Sequence, residues 1–283
     1  MDFRKRFIVL IMILSVALAG CSQKISEPSD TRPLKPDYSP VIEETEPEPS
    51  DPAIVGTLPS EPDVPVPAEP ALPREGYVVT LDPGHQAEES RILEPIGPES
   101  EVMKSRVSSG TQGIDTRIPE HELVLDISQR VRTLLVESGI QVVMTRTTAD
   151  VDLSNIDRAR IANDNDSDLF VRIHANGADD SRVNGISAYY PGTGNQWAGH
   201  LSDDCRRASL MILEGIVRET GAKDRGVRAS DSYTGINWSE VPVTIIETGF
   251  MTNPDEDLLL STADYRQRMA RGIADGIIRY LGL

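Results

Sequence analysis

The chain has 283 residues and a formal net charge of −17, from 45 Asp+Glu against 28 Lys+Arg, with 39% hydrophobic and 5% aromatic residues. Phosphate binding needs clustered Lys and Arg and base stacking needs aromatics, so this balance argues against nucleic acid as a partner. The two cysteines, Cys21 and Cys205, are too few for a disulfide framework or a thiolate zinc cluster.

Arg4, Lys5 and Arg6 precede an apolar run over residues 7–19 that ends in Leu18-Ala19-Gly20-Cys21. A basic start, a short apolar core and small residues before a break describe a secretory signal, whereas a membrane span needs about 20 residues. Leu-Ala-Gly-Cys resembles the lipobox of bacterial lipoproteins. That resemblance implies a leader over residues 1–20, cleavage before Cys21 and lipidation of its thiol. It also implies anchorage on the extracytoplasmic face of a bacterial cell membrane, for which two or more acyl chains suffice. Cys205 is then the one thiol left and, between Asp204 and Arg206, reads as a helix-surface or boundary residue. Thirteen of the 20 prolines fall between Pro28 and Pro73, and residues 22–75 carry 12 acidic against 4 basic side chains. Such a stretch buries too little apolar area to fold, so residues 21–75 are expected to form a lipidated, disordered spacer reaching at most roughly 170 Å.

The folded domain is expected over residues 76–283. Residues 77–82 read as an apolar strand ended by Pro83-Gly84, and 86–118, with little periodicity, as a long loop. Pro119 opens a helix at its first turn, Glu120, Glu122 and Asp126 suit the dipole, and Leu123, Ile127, Val131 and Leu134 make the apolar stripe. A strand over 140–145, a short helix capped by Ser154, and strands over 168–174 and 185–190 follow. Residues 196–220 read as a long helix and 241–247 as a strand; 255–283 read as one terminal helix with Leu259, Met269, Ile273 and Ile277 inward. Strands alternating with helices predict an α/β domain whose sheet is covered on both faces.

Of the four histidines, His85 follows the first strand and His174 ends the strand at 168–174. Strand C-terminal ends form the crevice where α/β sheets bind ligands, and imidazoles there suit a borderline metal such as zinc. A catalytic zinc takes three protein ligands, and Glu120, at a helix start, is the best third donor. Glu247 ends an apolar strand, where a carboxylate is costly unless paired or functional, which makes it a candidate general base. The competing reading treats the three donors as ordinary polar residues at element ends, with Glu247 bonded to backbone amides of the Gly249 turn. His121, on a solvent-facing helix surface, and His200, in a polar stretch of the long helix, stay outside the site.

Leu81-Asp-Pro-Gly-His85, Pro119-Glu-His-Glu-Leu-Val-Leu125, Arg172-Ile-His-Ala-Asn176 and Ile246-Glu-Thr-Gly-Phe-Met-Thr-Asn-Pro254 resemble, in this order, motifs of the zinc-dependent N-acetylmuramoyl-L-alanine amidases (amidase 3 family). Thr145-Arg146 and residues 158–163 fit as well, and the resemblance spans about residues 77–283. It implies Zn2+ held by His85, Glu120 and His174, with Glu247 as catalytic carboxylate, in a mixed, mostly parallel six-stranded sheet between helices. The implied reaction is hydrolysis of the peptidoglycan amide joining the lactyl group of N-acetylmuramic acid to L-alanine. Glu122 stands about 200° from Glu120 around the helix, so only one faces the metal, and the family pattern favours Glu120.

Two features depart from many members. Gln86-Ala-Glu-Glu89 replaces Gly-Gly after the first histidine and leads into a loop carrying Ser108-Ser-Gly-Thr111, as in one subgroup. About ten residues separate His174 from Gly185, leaving no room for the regulatory helix some members insert there. The expected partners are peptidoglycan and, through the lipid, the membrane, with the protein a monomer. Alternatives are a zinc peptidase acting on the stem peptide and a non-catalytic, lipid-anchored wall-binding lipoprotein. The second accounts for leader and tail but not for the His–Glu–His set, and an inactive homologue is disfavoured because all four positions are filled.

Overall fold

A six-stranded sheet organises the computed structural model, which describes residues 76–283. The expected leader, Cys21 and the linker lie outside the described residues. In chain order the strands are β1 (Val78–Pro83), β2 (Ser90–Pro95), β3 (Met103–Val107), β4 (Gln141–Met144), β5 (Leu169–Asn176), β6 (Ile186–Tyr190), β7 (Asp224–Ala229) and β8 (Val243–Phe250). The helices are α1 (Glu120–Glu137), α2 (Asn155–Asp164), α3 (Ser202–Thr220), α4 (Thr234–Asn237), α5 (Pro254–Ser261) and α6 (Ala263–Leu281). The main sheet has the order β4-β1-β5-β8-β6-β7, with every pair parallel except β6–β8. This is the mixed, mostly parallel α/β sheet expected.

Successive strand residues face opposite sides. Val79, Leu81, Leu169, Val171, Ile173 and Ile246 pack with α1, α3 and α6 through Leu123, Ile127, Val131, Ile212, Met269 and Ile273. Each such fully buried aliphatic side chain stabilises by ~1.5–3 kcal/mol relative to exposure. On the other face, Phe170, Val243 and Ile245 pack with α2 and α4 through Ala159, Ala162 and Ile236. Following those strands toward their C-terminal ends, the same face carries Asp82, Arg172, His174 and Glu247. The alternation that builds the second core therefore also delivers the polar residues.

Several expectations need correction. The stretch 86–118 is not a plain loop, because β2 and β3 pair as an antiparallel hairpin within it. Residues 255–283 form two helices: Thr262 is extended (φ −85°, ψ 137°) and caps α6 by accepting from the Tyr265 amide. Leu259, on the separate helix α5, is consequently 43% exposed while Leu260 turns inward. Strand β7 was absent from the pattern, and α3 begins at Ser202, with His200 in a single 3-10 turn, Gly199–Leu201, before it. Pro119 is the residue that caps α1 (φ −68°, ψ 145°), not part of its first turn. On α1, Leu135 is buried where Leu134 only packs partly against the core. Cys205 is buried, not a surface residue: its Sγ accepts from the Val243 amide, and burial pushes the thiol up to about 11. His121 is half-buried rather than solvent-facing.

Candidate metal centre

The turn Asp82-Pro83-Gly84-His85 leaves β1 and ends in a left-handed backbone at His85 (φ 58°), a conformation that non-glycine residues adopt only where surroundings enforce it. Three buried arginines enforce it. Arg158 donates to Asp82 Oδ1 (2.8 Å), to the Pro83 carbonyl (2.8 Å) and to the His85 carbonyl (2.9 Å). Arg146 donates to the Pro83 carbonyl (2.9 Å), the Gly84 carbonyl (2.8 Å) and the His121 carbonyl (2.8 Å), which fixes the turn against the start of α1. Arg172 donates from Nε to Asp82 Oδ2 (2.7 Å). Burial would raise Asp82, but the charges of Arg158 and Arg172 with the Thr145 hydroxyl hold it well below the usual carboxylate range. Sequence reading missed this network. The available signals were Asp82 at the end of an apolar strand and Arg172 inside Leu-Phe-Val-Arg-Ile.

His85, Glu120 and His174 meet. His85 Nε2 lies 3.1 Å from Glu120 Oε1, His174 Nδ1 lies 3.2 Å from the same oxygen, and the two ring nitrogens are 3.1 Å apart. His85 Nδ1 donates to the Ser108 carbonyl (2.8 Å), which leaves the Nε2 lone pair facing the centre. Glu120 is aimed by two amides: Ala175 donates to Oε1 (3.0 Å) and Thr111 to Oε2 (2.9 Å). Glycines admit the rings: a Cβ on Gly84 would stand 2.2 Å from the His174 ring, and one on Gly110 (φ 77°) 2.7 Å from Glu120 Oε2. Glu122, by contrast, is exposed.

These donors fit a zinc ion. A tetrahedron with ~2.0–2.1 Å arms has edges of about 3.3–3.4 Å, close to the three separations, and nitrogen–nitrogen–oxygen sets suit zinc. Burial lowers His174 to about 4, so its ring is neutral at physiological pH, the form that can donate to a metal. Burial would raise Glu120, but His174 and His85 outweigh it and hold its carboxyl well below the usual range. Glu247 Oε2 is buried without a partner, the mark of a group that awaits a ligand.

Glu247 stands directly across from His174 in the β5–β8 register. The Gly249-turn reading does not hold for it: Glu256 takes the Phe250 amide instead (2.7 Å). Burial, and secondarily the charge of Glu120, push Glu247 up to about 8. All four residues line one cleft of about 280 Å³, walled by Lys104 and Ser108 from the hairpin side and Tyr233 from the other. Among the described residues, His85, Glu120 and His174 are the one set of three able to share a metal.

A profile of the family described as N-acetylmuramoyl-L-alanine amidase (Amidase_3) matches residues 79–279. The chain is 30% identical over 208 residues to the N-acetylmuramoyl-L-alanine amidase LytC of Bacillus subtilis, covering 74% of this chain but 36% of that protein. It is 27% identical over 239 residues to the N-acetylmuramoyl-L-alanine amidase AmiA of Escherichia coli, covering 72% and 75%. The crystal structure of the amidase Ami1 from Mycobacterium smegmatis superposes with a TM-score of 0.65 at 27% identity, covering 73% of this chain and 97% of that one.

Proposed function

The chain belongs to the N-acetylmuramoyl-L-alanine amidase family, and on that premise we propose a zinc-dependent cell-wall hydrolase that cleaves between the lactyl group of N-acetylmuramic acid and L-alanine. The observation that carries the reading is the donor triangle of His85, Glu120 and His174 with Glu247 beside it. When bound, zinc supplies Lewis-acid polarisation of the amide carbonyl and lowers the pKa of the attacking water. Glu247 takes the proton from that water and returns it to the leaving alanine amine, a role suited to a carboxyl whose pKa lies near the operating pH. His85 and His174 would hold the ion with Glu120, whose carboxylate balances charge, and His174 stays neutral.

The remainder of the reading concerns residues 1–75: Cys21 carries lipid, residues 22–75 hold the domain away from the membrane, and the protein acts as a monomer on the extracytoplasmic side. The test is mass spectrometry of muropeptides digested with and without a zinc chelator. A new free L-alanine amine together with a lactyl carboxyl is expected, and chelation or Glu247→Ala should remove it. Cleavage within the stem peptide, or undiminished cleavage by Glu247→Ala, would refute the assignment. Cys21→Ser should move the protein from the membrane fraction to the soluble one.

A further inference from the structure

Arg172 and His174 stand on the same face of β5, two residues and therefore ~6.6 Å apart along the strand. Both line the cleft with Glu247. Inside the protein, Arg172 spends Nε on Asp82 (2.7 Å) and Nη2 on Asn155 Oδ1 (2.8 Å). Its Nη1 has no hydrogen-bond partner among the described residues, and Arg172, 3% exposed, lines the cleft, so that nitrogen is the donor left for a ligand there. Its position is built: a Cβ on Gly235 would stand 2.1 Å from Nη1, so only glycine lets the guanidinium lie there. Two anchoring bonds leave the planar fork rigid, the condition under which an arginine best recognises a carboxylate.

Charge points the same way. Around the turn, Arg146, Arg158 and Arg172 are buried with the carboxylates of Asp82, Glu120 and Glu247, three against three, and Lys104 on the cleft wall adds one positive charge before any divalent ion adds two more. In a chain of net charge −17, this cleft is the exception, and a cationic excess favours an anionic ligand. A wall stem peptide is such a ligand. A carboxyl on the residue after alanine lies ~7 Å from the scissile amide, two residue lengths at most, and Arg172 is a lining residue of the same cleft as the His85, Glu120 and His174 donors.

We propose that Arg172 is a specificity-determining residue, receiving through Nη1 a free carboxylate on the stem residue that follows L-alanine. The identity of the ligand rests on the amidase reading above. Stems with that carboxyl amidated bind less well, because a carboxamide offers a weaker acceptor and no charge.

The test uses the full-length, zinc-loaded Glu247→Gln protein and two muramoyl tripeptides that differ only in a carboxylate or a carboxamide on the second, γ-linked glutamate. The carboxylate form should bind at least about tenfold more tightly by calorimetry, as for a charge-assisted bond. Adding Arg172→Lys, which keeps a cation against Asp82 but loses the fork, should bring the ratio below about threefold. Asn155→Ala, which frees Nη2, should also reduce the ratio and serves should the lysine variant not fold. Equal affinities for the two tripeptides overturn the proposal, as does a ratio untouched by either variant. Wild-type turnover separates the two readings. A binding preference without release of an alanine amine refutes the amidase reading alone, and turnover without preference refutes this inference alone.

Discussion

Replacing Asp82 with Asn tests how the turn that carries His85 is held. The substitution keeps shape but removes the one carboxylate bonded to Arg158 and Arg172. Three bonds are at stake, from Thr145 Oγ1 (2.6 Å), Arg158 Nη1 (2.8 Å) and Arg172 Nε (2.7 Å). Asparagine retains one acceptor oxygen, and its NH2 then confronts a guanidinium N–H, so at least one buried arginine loses its partner. Breaking one side of a fully buried ion pair costs ~3–5 kcal/mol. Urea denaturation at pH 7 should therefore show the variant destabilised by that amount, with weakened zinc binding because His85 hangs from the same turn.

The pH dependence follows from sign. Asp82 is held well below its ordinary 3.8 by Arg158 and Arg172 against the opposing pull of burial. A depressed acid contributes stability that is present above its unfolded value and is lost as pH falls through the folded one. The gap between wild type and Asp82→Asn should thus stay constant from pH 7 to about pH 5 and shrink below about pH 4. A loss under ~1 kcal/mol, or a gap that persists unchanged to pH 2, would refute the account of the network.

Glu120→Gln should weaken zinc binding, measured by calorimetry, by more than the 10- to 100-fold typical of outer-shell changes; a smaller loss would remove Glu120 from the ligand set. Glu247, raised to about 8 from 4.5 by burial and then by Glu120, withholds its proton on folding, so the metal-free protein loses stability as pH rises across that window. Glu247→Gln should accordingly gain on wild type between pH 5 and pH 8 under chelation, by at most ~5 kcal/mol, and show no gain below pH 4.5. A difference that stays flat with pH would place the carboxyl in water. Gly110→Ala, facing a φ of 77° and a Cβ contact of 2.7 Å with Glu120 Oε2, should displace that oxygen. It should then lower zinc affinity more than it lowers thermal stability, and the reverse order would contradict the packing.

The parts of the fold that sequence reveals are those whose apolar pattern is paid out locally. Strands β1, β4, β5, β6 and β8 are apolar runs, and a carboxylate or imidazole at the end of such a run is conspicuous, which is why His85, His174 and Glu247 were visible. The hairpin was not. Ile92, Leu93 and Met103 in it are exposed, so no alternation marks its strands. It is held instead by distant side chains, Trp238 Nε1 donating to the Pro95 carbonyl (3.0 Å) and Asn237 Nδ2 to the Ile96 carbonyl (3.0 Å). Strand β7 is an edge strand, polar and broken by Gly226, and its pairing with β6 is tertiary. The break at Thr262 was legible, since a threonine followed by Ala-Asp is a capping signal overridden by the apolar period on either side. Cys205 misled because Asp204 and Arg206 flank it, although positions 205, 208, 209 and 212 share one buried helix face. The arginine network shows locally only as charges inside apolar strands, and its pairing is not legible because Arg158 and Arg172 lie 76 and 90 residues from Asp82.

The same long spacing governs when an ion can be captured. His174 is 89 residues from His85 and 54 from Glu120, and their chelating geometry exists only once β1 and β5 lie side by side with α1 docked. A nascent or translocating chain offers scattered donors with no chelate advantage, so metallation waits for tertiary structure and cannot outrun it. Zinc held as proposed would thus serve, by its appearance during refolding, as a clock for completion of the sheet.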